Sequence, residues 1–401
     1  MTGRGRRPGT ELAARLVDPE LYLDDPHPLY ARLRAEAPVA WNEALGFWAV
    51  SRHADVCAVE SDPATFCAGR GILTDEIGVT YDTPPTMMHS DPPAHTRYRR
   101  LVQPGFKPSV VRALEPFVRA RVGALVDALP AHVPVDVLAA LAVPLPLQII
   151  GEILGMAEED WRRAYDWSEA VIPGARPDWS EERRAALMGD MVTYLIDASK
   201  QRRLTPQADM LTALAAVEVE GDQLTDAELG MFLVQLLVAG NETTRNLIAA
   251  GLVALARHPA QFDRLRADPS LVPSAVEELL RWTTPVISFM RTATRDAQVA
   301  GVPVAEGEPV LMLFASADRD EAVFGPTAST LDVARHPNPH IAFGFGNHFC
   351  LGAALARLEA RGVLEALLAR FTAIEVAGEV ERSPSSVIAG LRLAELRFVE
   401  G

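Results

Sequence analysis

Cys350 is the residue of this 401-residue chain whose surroundings most clearly indicate chemistry. It lies in the segment Phe343–Gly352, FGFGNHFCLG, directly before an apolar-periodic helix that is expected to run to Phe371. A sulfur at a helix N-terminus lies at the positive end of the macrodipole, which favours thiolate over thiol. Gly346 and Gly352 lack Cβ atoms, so the loop can turn sharply and a flat ligand can approach its backbone. The segment therefore predicts a shielded thiolate beside a large planar ligand.

Three other interpretations of this segment stay open at this point. A lone cysteine is often a small core residue without chemistry. The glycines resemble part of a dinucleotide-binding loop, although Phe349 stands where that motif has its third glycine. A zinc site would combine Cys350 with His336, His340 and His348, but the chain has no Cys-x-x-Cys pair.

Composition limits the class of protein. With 49% hydrophobic and 23% charged residues and no repeat or linker, the chain predicts one large, mostly helical domain over 1–401, with 1–17 as a flexible extension. A net charge of −15 gives no electrostatic support for nucleic-acid binding. Three sparse cysteines fit a reducing cytoplasm without disulfides. The sequence shows neither a signal peptide nor an apolar stretch of bilayer length, so no membrane insertion is expected.

Strand signals are few and short. Trp41 and Phe47–Val50 flank a turn and predict a hairpin, and further strands are expected near Phe289–Thr294 and Val310–Phe314. Helical periodicity dominates from Ser90 onward. The predicted fold class is mainly α with small peripheral β-sheets.

The longest predicted helix carries polar residues in its middle. Thr225 and Glu228 have capping-box spacing, and the helix is expected to end near Arg257, about 50 Å away. Its centre, AGNETTR, places Glu242 and two threonines after Gly240. Burying a carboxylate without partners costs several kcal/mol.

Two explanations of this polar centre compete. In the first, Glu242 simply pairs with Arg245, and Thr243 bonds back to a carbonyl. In the second, which the Cys350 segment favours, a local distortion at Gly240 opens a polar notch for a small ligand and protons.

Two further charged segments stand out. Between Asp91 and Arg121 there are seven basic and two acidic residues, in a protein that is acidic overall. His95 and Arg99, at i and i+4, share a helix face suited to a buried anion, whereas Arg97 and Arg100 point elsewhere and suit an acidic partner. Farther along the chain, Glu278 and Arg281 lie at i and i+3 and can form an ion pair.

Together these segments resemble the cytochrome P450 haem-thiolate monooxygenases. The family's F-x-x-G-x-H-x-C-x-G loop matches Phe343–Gly352, and its A-G-x-[DE]-T-T motif matches Ala239–Thr244. Its E-x-x-R pair matches Glu278 and Arg281, followed by a D-x-x-R that ends at Arg335. The resemblance covers the chain from about Asp18, and the order of the motifs fits.

The resemblance implies a single triangular-prism domain with heme b (iron-protoporphyrin IX) between the long helix and the Cys loop. It makes Cys350 the proximal iron ligand, whose thiolate pushes electron density onto the iron. It also implies that other residues contact the haem or its propionates, namely His95, Arg99, Gly240, Arg291, Phe343, Gly346, His348 and Gly352. Glu278, Arg281 and Arg335 correspond to the family's structural ion-pair network.

The implied reaction inserts one oxygen atom of dioxygen into a C–H bond and releases the other as water. Glu242 and Thr243 would hold water and relay protons. The family's soluble bacterial members take two electrons from an acidic ferredoxin served by a ferredoxin reductase. The basic segment agrees with this and predicts docking near Arg97, Arg100 and Arg112.

The substrate is expected to be lipophilic, because the segments that should line its pocket are mostly apolar. These segments are Gly69–His89, Val171–Trp179, Leu236–Gly240, Val286–Phe289 and Val387–Ile388. The motif sequences are most similar to those of actinobacterial steroid and lipid hydroxylases. A natural-product intermediate is the other candidate substrate. A peroxide-using haem-thiolate enzyme and a non-catalytic haem-thiolate sensor are the alternative functions.

Overall fold

The structure is a computed structural model and describes residues 7–79, 86–171, 176, 178–207 and 209–401. Helices dominate, as the periodicity predicts. The α-helices of the described part are α1 (Thr10–Ala14), α2 (Glu20–Leu23), α3 (His27–Glu36), α4 (His53–Glu60), α5 (Ala94–Val102), α6 (Pro108–Asp127), α7 (Pro144–Ile153), α8 (Trp161–Val171), α9 (Glu181–Leu204), α10 (Met210–Ala216), α11 (Asp226–Arg257), α12 (Pro259–Ala267), α13 (Val272–Thr283), α14 (Phe314–Ala317), α15 (Glu321–Phe324) and α16 (Ala353–Arg370).

Three small sheets accompany these helices. Their strands are β1 (Val39–Asn42), β2 (Phe47–Val50), β3 (Phe66–Cys67), β4 (Pro134–Asp136), β5 (Ser288–Ala293), β6 (Ala297–Val299), β7 (Val302–Val304), β8 (Pro309–Leu313), β9 (Ala373–Arg382) and β10 (Leu391–Val399). The largest sheet has the order β1-β2-β8-β5-β3, and the others are β4-β10-β9 and β6-β7. The predicted hairpin is confirmed as β1 and β2, and the two predicted later strands are β5 and β8.

Helix α11 runs through the main hydrophobic core. Thr225 accepts from the N–H of Glu228, and the Glu228 carboxylate accepts from the N–H of Thr225, which confirms the capping box. The helix ends at Arg257, as predicted. It stays α-helical through Gly240, so the expected distortion there was wrong.

Gly240 instead serves close packing. A Cβ at this position would lie 2.7 Å from Cδ1 of Ile150, which belongs to α7. The absence of a side chain therefore lets α7 and α11 approach each other, and it does not interrupt the helix.

The N-terminal residues correct another expectation. Residues 1–6 lie outside the described part, but residues 10–17 form α1 and a 3-10 turn and are not a flexible extension. Leu12, Ala13 and Leu16 are buried in a core cluster beside β1 and β2. The apolar spacing of these three residues explains why the segment packs.

A buried ionic network fixes the segment that leads to the Cys loop. Glu278 and Arg281 of α13 form a two-pronged ion pair with neither side chain exposed, and Arg335 Nε also donates to Glu278 at 3.0 Å. Glu278 further accepts from the backbone N–H of Asp332 and from Asn338. The pairing predicted for Glu278 and Arg281 is therefore confirmed.

Among the described residues, none of the helices is both long and apolar enough to cross a membrane.

Candidate active site

The Cys350 loop bends at two glycines. Gly344 and Gly346 have φ values of 73° and 65°, in the left-handed region that favours glycine. A Cβ at Gly346 would lie 2.6 Å from the carbonyl oxygen of Glu60, so the loop also touches α4 too closely for a side chain. The bend predicted at Gly346 is therefore confirmed, whereas Gly352, the N-cap of α16, has an ordinary φ of −83°.

Cys350 is held at the N-terminus of α16. Its own N–H donates to the carbonyl of Phe343 at 2.9 Å, which closes the loop. Burial raises the pKa of the Cys350 thiol. The N–H groups of Gly352 and Ala353 and the positive charges of Arg99 and Arg357 act in the opposite direction. In the protein alone burial outweighs the helix terminus, so the thiolate needs an additional positive charge such as a metal ion.

Nitrogen donors gather beside this loop. The rings of His95 and His348 lie 4.2 Å apart, and Arg99 donates to the carbonyl of Phe349 at 2.7 Å. Burial and the charges of Arg291, His95 and Arg99 lower the pKa of His348 to about 3. Burial and Arg99 also lower the pKa of His95. The cluster is thus crowded with positive charge, and it suits an anion.

The two histidines also have unused donors or acceptors. Within the described part of the chain, Nε2 of His95 and Nε2 of His348 are buried without a hydrogen-bond partner. Such atoms cost free energy unless a ligand pairs with them. A carboxylate that accepts a hydrogen bond from each nitrogen would satisfy both.

Arg291 lies near this cluster but already has a partner. Its Nη2 donates to Glu60 at 2.8 Å, and both side chains are at most 5% exposed. Sequence reasoning missed Glu60, because a glutamate at the end of α4 carries no motif. The predicted propionate contact of Arg291 would therefore be shared with this carboxylate.

Apolar surface surrounds the cysteine. Phe343 and Phe349 meet edge to face with ring centroids 6.1 Å apart, and the Arg357 guanidinium lies 4.5 Å from the Phe343 centroid. Phe345 and Phe349 nevertheless remain 42% and 41% exposed. A planar apolar ligand would cover such surface.

Helix α11 carries the predicted acid and alcohol. Glu242 pairs with Arg245 through Oε1, and Asn246 donates to the same oxygen at 3.3 Å. Arg245 also donates to Glu169 of α8 at 2.9 Å. Burial raises the pKa of Glu242, the Arg245 charge opposes this, and the Glu169 charge adds to it. Sequence reasoning missed Glu169, whose only signal was a charge on the apolar face of α8.

Thr243 bonds back along the helix, with Oγ1 donating to the Ala239 carbonyl at 2.7 Å. The bond from Thr243 to Ala239 and the pair of Glu242 with Arg245 are the contacts that the first of the two competing explanations predicts. The face of α11 that holds Leu236, Ala239, Gly240 and Thr243 is nevertheless less buried than the faces on either side. This open stripe is where α11 can meet a ligand.

The zinc interpretation has no geometric support. Among the described residues, no group of three or more His, Cys, Asp and Glu side chains is placed to hold a metal ion. His340 instead bonds to Glu277 at 3.1 Å. Cys350 is left as a single thiol ligand.

The basic segment is more neutral in the fold than in the sequence. Arg97 pairs with Asp222 and Glu228, and Arg100 pairs with Glu220. Arg100 nevertheless lines the same cleft as His95 and Arg99, so the predicted separation of the two faces is incomplete at this residue. The acidic partners of Arg97 and Arg100 are more than 100 residues away in the chain, so local charge counting missed them.

Comparisons with known proteins identify this arrangement. The family model described as "Cytochrome P450" matches residues 146–393. Linalool 8-monooxygenase from Pseudomonas putida is 35% identical over 94% of this chain and 97% of its own length. This chain belongs to the cytochrome P450 family. The methyl-branched lipid omega-hydroxylase of Mycobacterium bovis is 35% identical over 90% of this chain and 89% of its own.

The fold agrees with this P450 membership. Cytochrome P450 CYP109Q5 from Chondromyces apiculatus superposes with a TM-score of 0.88 and is 36% identical, over 96% of this chain and 98% of that one. The chain is therefore a P450 monooxygenase, and the family's cofactor is haem iron. The unpaired nitrogens of His95 and His348, the exposed phenylalanines and the single thiol fit this group.

Proposed function

We propose that this P450 hydroxylates or otherwise oxidises a lipophilic small molecule, with dioxygen and two electrons from a ferredoxin. The observation that carries the substrate class is a set of apolar, half-buried side chains that different parts of the chain contribute. These side chains are Leu236, Val286, Phe289, Val387 and Ile388.

Backbone hydrogen bonds bring most of the predicted pocket walls together. Ile287 donates to the Val387 carbonyl at 2.7 Å, and Val286 forms a bridge with Ile388. Met290 donates to the carbonyl of Ile72, which ties the described part of the Gly69–His89 loop to β5. Residues 80–85, 172–175 and 177 lie outside the described residues, and nothing is concluded about their part of the walls.

The relatives support the same class. Two relatives are named for linalool and for methyl-branched lipids, and both are hydrocarbon-rich molecules. A side chain without charge suits such substrates, since burying apolar area contributes about 25 cal/mol per Å². We favour a terpene-, lipid- or steroid-like substrate, with a natural-product intermediate as the other candidate.

For the cofactor, we propose that the Cys350 thiolate would hold the iron of heme b and that His95, Arg99 and His348 would bind its propionates. Phe343, Gly346 and Gly352 would shape the loop around the ligand, and Arg291 would reach a propionate from its pair with Glu60. Bound haem supplies the chemistry of oxygen activation, which no side chain can perform. Gly240 would line the haem pocket from the open stripe of α11.

The protein's own task is to deliver protons. The overall reaction consumes the substrate, dioxygen, two electrons and two protons and yields the oxidised product and water. We assign the proton path to Glu242 and Thr243, because a buried carboxyl with a raised pKa can both hold and release a proton. Thr243 lies on the open stripe of α11, next to that carboxyl in sequence.

For the electron donor, we propose docking on the face of α5 and α6 near the Cys loop. Lys107 and Arg112 are exposed there, and no ion pair joins them to an acidic side chain within the described residues. A cleft of about 350 Å³ beside them is lined by further basic residues, including Arg99 and Arg100. Because Arg97 and Arg100 are already paired, Lys107 and Arg112 should carry most of the attraction. A cytoplasmic location agrees with this donor and with three free cysteines.

The substrate class is tested by titrating the haem-loaded protein with terpenes, fatty acids and steroids while following the Soret band. Binding of neutral, hydrocarbon-rich compounds and their oxidation in a reconstituted ferredoxin system is expected. Ile388→Lys should weaken this binding, whereas Val376→Lys, a change at an exposed position of β9, should not. Preference for charged, hydrophilic compounds would contradict the proposal.

The donor is tested by charge reversal. Lys107→Glu and Arg112→Glu should each slow ferredoxin-dependent reduction several-fold, most strongly at low salt, because steering is electrostatic. Arg392→Glu makes the same charge change at an exposed position of β10 and should have little effect. Equal rates for all three variants would remove the docking site from this face, and efficient turnover with peroxide alone would favour the peroxide-using alternative.

A further inference from the structure

A buried polar cluster joins α8 to the middle of α11. Glu169, Glu242 and Arg245 are 5%, 5% and 9% exposed, and Arg245 bridges the two carboxylates. Beside them, Asn241 donates to Ser168 at 2.8 Å. Two adjacent residues of α8 are thus fixed against two residues of α11.

The pairing of Arg245 with Glu242 involves a single carboxylate oxygen. Arginine commonly binds a carboxylate through two parallel N–H···O bonds. Here Nη1 of Arg245 donates to Glu169, and only Nη2 donates to Glu242. Asn246 donates to the same oxygen of Glu242, Oε1.

The second oxygen of Glu242 is consequently unpaired. In the part of the chain that the structure describes, Oε2 of Glu242 is buried without a hydrogen-bond partner. An unsatisfied buried carboxyl oxygen is costly, and native proteins keep such atoms mainly where water or chemistry uses them.

We propose that Glu169 is a positioning residue for proton delivery: by occupying one arm of Arg245, it prevents a two-pronged Arg245–Glu242 pair and keeps Oε2 of Glu242 free to bind water and pass protons. This inference rests on the proposed function of Glu242 as a proton carrier. Glu169 itself touches neither substrate nor cofactor in this account and acts through Arg245.

The charge balance agrees with this geometry. Two carboxylates share one guanidinium in a buried place, so full ionisation of both is unfavourable. The negative charge of Glu169 raises the pKa of Glu242, in the same direction as burial does. The cluster therefore favours a Glu242 that can carry a proton.

The competing explanation is that Glu169 only neutralises a buried Arg245. Glu169→Ala would then change stability without changing proton delivery. Glu169→Gln keeps a hydrogen-bond acceptor but removes the charge, and it replaces Glu169→Ala in the test if the alanine variant does not fold. Asp166→Ala is the matched control, since it removes an acid from the same helix at a position with no side-chain bond to the described part of α11.

The test uses the haem-loaded enzyme with its reductase system and measures product per electron pair and the solvent deuterium isotope effect. For Glu169→Ala we expect unchanged substrate affinity, a larger isotope effect and a fall in coupling of roughly tenfold. This fall is smaller than the ~10²–10⁴-fold that a positioned acid itself contributes, because Glu169 acts only through Arg245. A crystal structure of the variant should show Arg245 bound to both oxygens of Glu242. In a Glu242→Gln background, Glu169→Ala should add no further loss.

Two outcomes would overturn the inference about Glu169 alone, and a third would overturn the proposed proton path. If Glu242→Gln uncouples turnover while Glu169→Ala behaves like Asp166→Ala, Glu169 has no positioning role. If the losses of the two variants simply multiply, Glu169 acts elsewhere. If Glu242→Gln itself leaves coupling unchanged, the proposed proton path fails, and the inference fails with it.

Discussion

Two buried ionic clusters in the described part of the molecule, one on α13 and one on α11, are built from the same residue types but differ in how completely their charged groups are paired. In the cluster of α13, Arg281 donates to both oxygens of Glu278 and to the carbonyls of Asp318, Ala328 and Thr330. In the cluster of α11, Oε2 of Glu242, Nε of Arg245 and Oδ1 of Asn241 have no partner within the described residues.

The difference distinguishes buried charges that stabilise the fold from buried charges that can take part in chemistry. In the α13 cluster the charged side chains of Glu278, Arg281 and Arg335 are fully paired, and Oδ1 of their neighbour Asn338 is the atom without a partner in the described part of the chain. A network whose charges are all paired holds a segment in one place. An incompletely paired network keeps atoms available for water, protons or a ligand, at a cost in stability that the rest of the fold offsets. We therefore expect changes in the α13 cluster to reduce stability and changes in the α11 cluster to reduce coupled turnover.

The largest effect on stability is expected for Glu278→Ala. It leaves Arg281 and Arg335 buried without their carboxylate, which costs about 3–5 kcal/mol in the free energy of unfolding. Urea denaturation followed by circular dichroism measures this. Arg32→Gln, which breaks an exposed pair on α3, is the control and should change much less. A loss for Glu278→Ala no larger than the control's would contradict the structural role.

Thr243→Ala should have the opposite profile. The free energy of unfolding should change by less than about 1 kcal/mol, because the lost bond is a partly exposed back-bond to Ala239. Electrons should instead drain to hydrogen peroxide while substrate still binds. Product and peroxide are measured per electron pair. Fully coupled turnover in this variant would remove Thr243 from the proton path.

Two glycine substitutions compare the backbone of the Cys350 loop with that of α11. Gly346→Ala places a Cβ 2.6 Å from the backbone of Glu60 at a positive φ, so a loss of about 1–3 kcal/mol and weaker haem retention are expected. Gly240→Ala meets only the end of the Ile150 side chain, which can move. Thermal unfolding should rank the Gly346 variant well below the Gly240 variant, and the reverse order would contradict the account of the loop.

The two regions should also respond to pH with opposite signs. His340 and Arg357 overcome burial and lower the pKa of Glu277, on α13, from 4.5 to about 2. Its contribution to stability is therefore lost as pH falls from 4.5 towards 2. Burial raises the pKa of Glu242 above 4.5, so its contribution to stability is lost as pH rises through this raised pKa.

Unfolding measured across this pH range in Glu277→Gln should show a weaker acid-side loss than the parent protein does. In Glu242→Gln, the loss of stability that accompanies a rise in pH above 4.5 should be weaker instead. Identical pH profiles for both variants would mean that Glu277 and Glu242 do not titrate with shifts of opposite sign.

The sequence predicted what short motifs specify. The capping box, the hairpin, the ion pair of Glu278 with Arg281, and the placement of Cys350 at the start of α16 all depend on residues close in the chain. The N-terminal segment and Gly240 were predicted wrongly, because their conformation depends on packing against β1 and Ile150. Glu60 and Glu169 bind Arg291 and Arg245 from distant helices, and no local motif identifies these partners.

The most direct measurement of the central claim is the absorption spectrum of the purified, dithionite-reduced protein with carbon monoxide, beside Cys350→His. We expect a strongly red-shifted Soret band that the Cys350→His variant lacks, because only a thiolate ligand produces it. A Soret band at the shorter wavelength typical of imidazole or neutral thiol in the parent protein would contradict the assignment of Cys350 as the thiolate ligand.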